Sequence, residues 1–242
     1  MVGYTYSTFT TELSKLTVIP ETDADFLSNL PSAIDYAEQR IYRELDLLAT
    51  IVQDASQSVT ANNRAFTLPS AQGRFVTVTG LNIFTPSTAG FSDGTRNPVM
   101  LTTRDYIDFT WPSNTSPSAT TTPQFYAMIT DQTIIMGPPP GASFLAEVVG
   151  TIRPTPLSAS NTTTYLSQYL PDLFLSAAMV FMTGYQQNFG QQSDNPQMAQ
   201  SWESQYGKLL ASANVEEVRR KYGSYYSTIT PPQPVMAGGN NA

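Results

Sequence analysis

The 242-residue chain contains neither cysteine nor histidine. Without cysteine there are no disulfides, thiol nucleophiles or thiolate metal sites, and the redox compartment is left open. Without histidine the commonest general base, the usual zinc ligand and the Ser-His-Asp triad are all excluded. Charge is sparse as well, at 13% of residues against 40% hydrophobic. The balance of 12 basic and 19 acidic residues gives a formal charge of −7, so a general attraction to nucleic-acid phosphates is not expected. The longest apolar run, LFLSAAMVFM at 173–182, falls short of the ~20 residues a membrane-spanning helix needs. The opening MVGYTYSTFTTEL has neither a charged nor an apolar leader segment, and the expectation is a soluble protein used without secretion.

Phosphate-cradling glycine motifs are missing too, since the glycines of AGFSDG and MAGGNN sit in loop and tail contexts, and no EF-hand spacing occurs. No metal and no cofactor are expected. What the chain does have is aromatic residues, 13 tyrosines and 12 phenylalanines. Such side chains are favoured at protein interfaces and equally in carbohydrate sites, and composition alone does not separate the two. Weak charge with abundant serine and threonine is commoner in proteins that bury surface in assemblies.

Periodicity divides the chain. Phe9, Leu13 and Leu16 predict a helix over 5–17, ended by Pro20. Thr22 and Asp23 offer a cap for a short turn leading into a longer helix over 31–48, with Pro31 in its first turn and a buried stripe of Ile34, Ala37, Ile41, Leu45 and Leu48. From 51 to 157 the texture is strands and turns. RFVTVTGLNIF predicts Val76 and Val78 on one face. FYAMITDQTIIMGPPPG predicts a hairpin turning at Asp131-Gln132, and SFLAEVVGTI a strand that gathers Phe144, Ala146 and Val148. Two surface excursions, 86–98 and 112–123, flank a short helix at TTRDYIDF. Helix returns with Pro171 in a first turn and Phe174, Ala177, Ala178, Phe181 and Tyr185 as its apolar stripe. After GQQSDNP, Asp194 or Asn195 caps a last helix whose inner face is Trp202, Tyr206, Leu209 and Ala213. Glu216 with Arg220 and Glu217 with Lys221 are at pairing distance along it, and Gly223 is a natural stop. The predicted class is therefore α+β, a helical bundle from the N- and C-terminal helices with an inserted antiparallel β-rich domain. The divisions are 1–50, 51–157, 158–223 and an extended C-terminal arm at 224–242.

Three carboxylate pairs bear on glycosidase chemistry: Asp23/Asp25, Asp105/Asp108 and Glu216/Glu217. The first suits a helix start, the last a salt-paired helix end and the middle an exposed turn, so no catalytic residue is expected.

Three segments, FLSNLPSAIDYAEQRIYRELDLLAT, TPQFYAMITDQTIIMGPPPGASFLAEVVGTIRPTPLS and TTYLSQYLPDLFLSAAMVFMTGY, occur in an order and spacing that resembles the head–tail adaptor proteins of short-tailed phages. The resemblance rests on a helix built around Ala-Glu-x-Arg-Ile, a hairpin ending in Gly-Pro-x-Pro and a YLPDL lead into the C-terminal helices. It implies a structural, non-enzymatic virion protein assembled as a dodecameric ring at the head–tail junction, between the portal protein and the tail nozzle protein. Tail fibres are a further partner to consider. DNA would pass through the channel during genome ejection without specific binding, no membrane would be involved, and assembly would take place in the host cytoplasm. The long loops and the proline-bearing tail depart from the family pattern. The runner-up reading is a tail-associated carbohydrate-binding module, with a carboxylate glycosidase third.

Candidate subunit or portal contacts follow: Tyr36, Arg40 and Arg43 on the first long helix, the basic run Arg219, Arg220 and Lys221, and Tyr225 and Tyr226 in the tail. Glu44 lies four residues beyond Arg40, so an intrahelical pair and a neighbouring subunit compete for that guanidinium.

Overall fold

The computed structural model describes residues 3–186 and 196–227, apart from the side chains of 185–186, 196–199 and 224–227. Helix α1 (Tyr6–Thr17) starts at a reciprocal cap between Thr5 and Thr8 and ends on Val18, whose φ of 58° turns the chain. Helix α2 (Ala24–Glu44) begins a full turn and more before the predicted start. The Asp23 side chain accepts the Phe26 N–H at 2.9 Å, and Phe26 and Leu30 are already buried, so the helix is nucleated upstream of Pro31. Pro31 sits inside the helix on its exposed face. The helix stops at Glu44, so of the predicted stripe Ile34, Ala37, Ile41 and Leu45 are buried while Leu48 falls in a 3-10 turn (Leu48–Thr50) and is exposed.

Seven strands follow: β1 (Ile51–Val59), β2 (Ala65–Thr67), β3 (Arg74–Thr85), β4 (Thr95–Leu101), β5 (Phe125–Thr130), β6 (Thr133–Gly137) and β7 (Phe144–Arg153), with helix α3 (Arg104–Thr110) between β4 and β5. Their order is β1-β7-β3-β4-β5-β6-β2, antiparallel except for a parallel pairing of β4 with β5 through Met100 and Leu101. Both edge strands feed one core: Val59 of β1 and Phe66 of β2 join Leu81, Ile83, Ile134 and Val148 in a single cluster, which requires the sheet to curl. The predicted hairpin forms, with Thr130 facing Thr133 across the Asp131-Gln132 turn, and Phe144, Ala146 and Val148 are buried together. The alternation expected in β3 fails. Register shifts after Phe75 and after Val78 rotate the strand, so Phe75, Leu81 and Ile83 are buried and Val76 is exposed. The predicted excursion at 86–98 is shorter than expected, because β4 starts at Thr95 and Pro98 pairs with Asn82.

A short helix α4 (Tyr165–Tyr169), not anticipated from sequence, precedes α5 (Pro171–Gln186), and α6 (Pro196–Ser227) runs past the predicted stop at Gly223. The predicted cap at Asp194 or Asn195 lies outside the described residues, as does the rest of the proposed arm, 228–242. A second core joins α1, α2, α5 and α6, with Phe9 stacked on Phe174 at 4.4 Å between ring centroids. Tyr206 and Ala213 are buried as predicted, and Trp202 and Leu209 pack against the same core.

The chain passes between the two cores twice, and each crossing is held by a buried acid. On the outward pass the Leu48 N–H donates to Glu217 Oε2 at 2.9 Å, and the Tyr165 hydroxyl donates to Glu217 Oε1 at 3.3 Å. On the return the Leu157 N–H donates to Glu38 Oε1 at 3.0 Å.

Candidate interaction surfaces

Tyr36 and Arg40 lie where α2 meets α6, and both are engaged inside the chain. The Arg40 guanidinium donates to both carboxylate oxygens of Glu203 at 2.8 and 2.5 Å, to Glu44 at 3.2 Å and to the Tyr36 hydroxyl at 3.3 Å. It also covers the Tyr206 ring at 4.1 Å, while the Tyr206 hydroxyl donates to Glu44 at 2.7 Å. The bonds to Glu203 hold Arg40 above the usual guanidinium range, and Arg40 in turn holds Glu203 below the usual carboxylate range. The Tyr36 ring packs on Phe181 of α5 at 5.4 Å. The intrahelical pair with Glu44 is present, yet the dominant partner is Glu203 on α6, which sequence inspection missed.

The basic run divides. Arg220 contacts Glu217 and the Tyr165 hydroxyl, with its guanidinium 5.4 Å from the centre of the Tyr165 ring, and Lys221 binds Asp46 at 2.5 Å. The spacings foreseen for this helix, Glu216 with Arg220 and Glu217 with Lys221, are not the pairs that form, because Glu217 is turned inward to the Leu48 N–H. Arg219 is exposed with no ion pair among the described residues. Arg43 is exposed and donates to Gln39 at 3.0 Å. The structure therefore brings Arg220 and Lys221 to the outward crossing and leaves Arg43 and Arg219 available. The backbone of Tyr225 and Tyr226 is helical, and their side chains lie outside the described residues.

Two apolar surfaces face outward on different parts of the fold. On α6, Val215, Val218 and Tyr222 follow i, i+3, i+7 spacing along one exposed ridge. On the sheet side, α3 presents Phe109, 89% exposed, with Tyr106, while the neighbouring end of β4 exposes Met100 and Leu101. Tyr106, Trp111 and Phe125 pack edge-to-face and stacked within 6.0 Å of one another, and Trp111 lies so close over Gly137 that a Cβ there would collide with it. These rings pack on one another at the base of α3.

One acid of each carboxylate pair has a structural partner, Asp23, Asp108 and Glu217. Asp23 caps α2. Asp108 accepts from Arg64 and from Arg104, and the bond from Arg64 holds it below the usual carboxylate range. Glu38 stands apart: it is buried, and burial pushes its carboxyl up to about 7, against the lowering effect of the Leu157 N–H. Its position was legible, since 34, 37, 38 and 41 trace one helical stripe and only Glu38 on it is acidic.

Over residues 4–232 the chain matches a protein-family model described as SU10 adaptor protein. No curated protein matches it.

Proposed function

The chain belongs to the SU10 adaptor protein family and is a structural adaptor of the bacteriophage virion, and from that premise we propose that it forms a closed ring at the head–tail junction, between portal and tail nozzle. A ring closed by one repeated heterologous contact needs two different faces on every subunit. The observation that carries the reading is the presence of two such faces, the α6 ridge and the α3/β4 surface, on separate parts of the fold. Exposed aromatic and aliphatic side chains on a weakly charged chain favour lasting protein contact. A net charge of −7 suits a channel that DNA crosses without adhering. Residues 228–242, with their prolines and no self-burying pattern, would extend onto the portal.

Negative-stain images of the purified chain mixed with its portal test this. Rings seated on one end of the portal are expected for the full chain, with seating weakened on deletion of 228–242. A chain that stays monomeric beside an unoccupied portal contradicts the reading.

A further inference from the structure

Basic side chains are so few that their whereabouts carry information. Of the 12, only Arg43, Arg153, Lys208 and Arg219 make no ion pair among the described residues. Two of these four, Arg43 and Arg153, line the same cavity of about 180 Å³ at the crossing between helical body and sheet, where the end of α2 meets the end of β7. The Arg153 Nε is buried there with no hydrogen-bond acceptor. Arg43 commits only Nη2, to Gln39. Tyr42, which also lines the cavity, is within electrostatic reach of both Arg153 and the buried Glu38. The acid in the lining, Asp46, is already held by Lys221, and the Thr50 hydroxyl donates to the Leu47 carbonyl at 2.8 Å. What remains to face an incoming group is the buried Arg153 Nε, which lacks an acceptor, beside the exposed Arg43 guanidinium and the Tyr42 hydroxyl.

We propose that this cavity receives a carboxylate side chain from a second copy of the chain. Two guanidinium groups and a phenol are donors of the kind a carboxylate accepts from, and the cavity of about 180 Å³ accommodates one with its methylene stem. The chain supplies the ligand itself: Asp25, Asp35, Asp105 and Glu216 are exposed and have no cationic partner among the described residues. Val76, exposed at the cavity, adds an apolar rim that would be covered in the same contact. The inference rests on the ring reading and adds a polar contact between copies to the two apolar faces.

Mass photometry of the full chain, with and without portal and across 50–500 mM NaCl, is the test. Wild-type protein and Lys208→Gln, which removes an exposed charge away from the proposed contacts, are expected to assemble alike. Arg43→Gln with Arg153→Gln should need at least about 10-fold more protein to reach the same assembled fraction, with an unchanged circular dichroism spectrum. Arg43→Lys with Arg153→Lys, which keeps the charge but loses the fork, should fall between them. If the glutamine pair assembles like wild type, the inference is overturned and the ring reading stands. If wild type fails to assemble even with portal, the ring reading falls and takes the inference with it. Saturable binding of inorganic phosphate that depends on Arg153 but leaves assembly unaltered would make the occupant a small anion and overturn the contact between copies.

Discussion

Glu38 is the residue whose chemistry is most exposed to measurement. Its carboxyl is held protonated by burial, with a folded value of about 7 against 4.5 in the unfolded chain. For an acid raised in this way, the folded chain binds the extra proton between those two values. The stabilising contribution is fully present below about 4.5 and is lost as pH rises through about 7. Glu38→Gln removes the ionisation while keeping an acceptor for the Leu157 N–H. The variant should match wild type near pH 5 and exceed it by about 2–3 kcal/mol at pH 8, read from urea unfolding at both values. A difference between the two proteins that does not change with pH would contradict the assignment. Arg40 makes a second residue-scale case. Its contact with Glu203 is bidentate but half open to water on the Glu203 side, so the coupling in an Arg40→Ala/Glu203→Ala double-mutant cycle should be about 1 kcal/mol. A coupling near zero would mean that the two helices are held by their apolar face alone. The charge pattern of α2 offered Glu44 as the local partner. Glu203 was beyond reach because a partner 163 positions away is fixed only by how α6 packs.

Among the elements, α2 shows how local signals compete. Proline is a sound marker of a helix start, and Pro31 fits that pattern. Asp23 is the stronger signal because it satisfies the Phe26 N–H and lets Phe26 and Leu30 join the core a turn and more earlier. Pro31 is then an interior proline that leaves the Leu27 carbonyl without its helical donor on the exposed face. Pro31→Ala restores that donor without disturbing packing, and an increase in stability of about 1–3 kcal/mol is expected by thermal or urea unfolding. A loss of stability would show that the proline ring makes stabilising contacts of its own. The α6 ridge calls for the opposite kind of result. Val218→Asp with Tyr222→Asp changes exposed side chains only, so monomer stability should stay within about 0.5 kcal/mol while assembly on the portal is lost. Assembly that survives the pair of substitutions would remove the ridge from the interface. The strands were legible as far as the pairing was regular. The buried face of β7 follows from alternation and the hairpin from its turn at 131–132, whereas β3 escaped because two irregularities change which residues face in, and no residue type in RFVTVTGLNIF announces them.

At the scale of the molecule, the α+β class could be read from the change of period at 51 and again after 157, because helix and strand bury different spacings. The way the parts are joined could not. Leu45, Leu47 and Leu157, on the linking segments, join the helical core, and the crossings are tied by Glu217 and Glu38, long-range contacts that periodicity does not encode. Of the interface candidates, Tyr36, Arg40, Arg220 and Lys221 have partners within the subunit, and the cations without an ion pair among the described residues are Arg43, Arg153, Lys208 and Arg219. Aromatic abundance divides the same way: Phe9, Phe174 and Tyr206 fill the helical core, while Phe109 and Tyr222 face outward. The central claim is that the outward faces close a ring of copies where head meets tail. Cryo-electron microscopy of intact particles tests it most directly. The expected result is a ring of identical subunits at the collar, each accommodating the helical body and the curled sheet, with α6 ridges buried between neighbours. Density for this chain at a fibre tip, or a collar with no ring into which the fold fits, would contradict it.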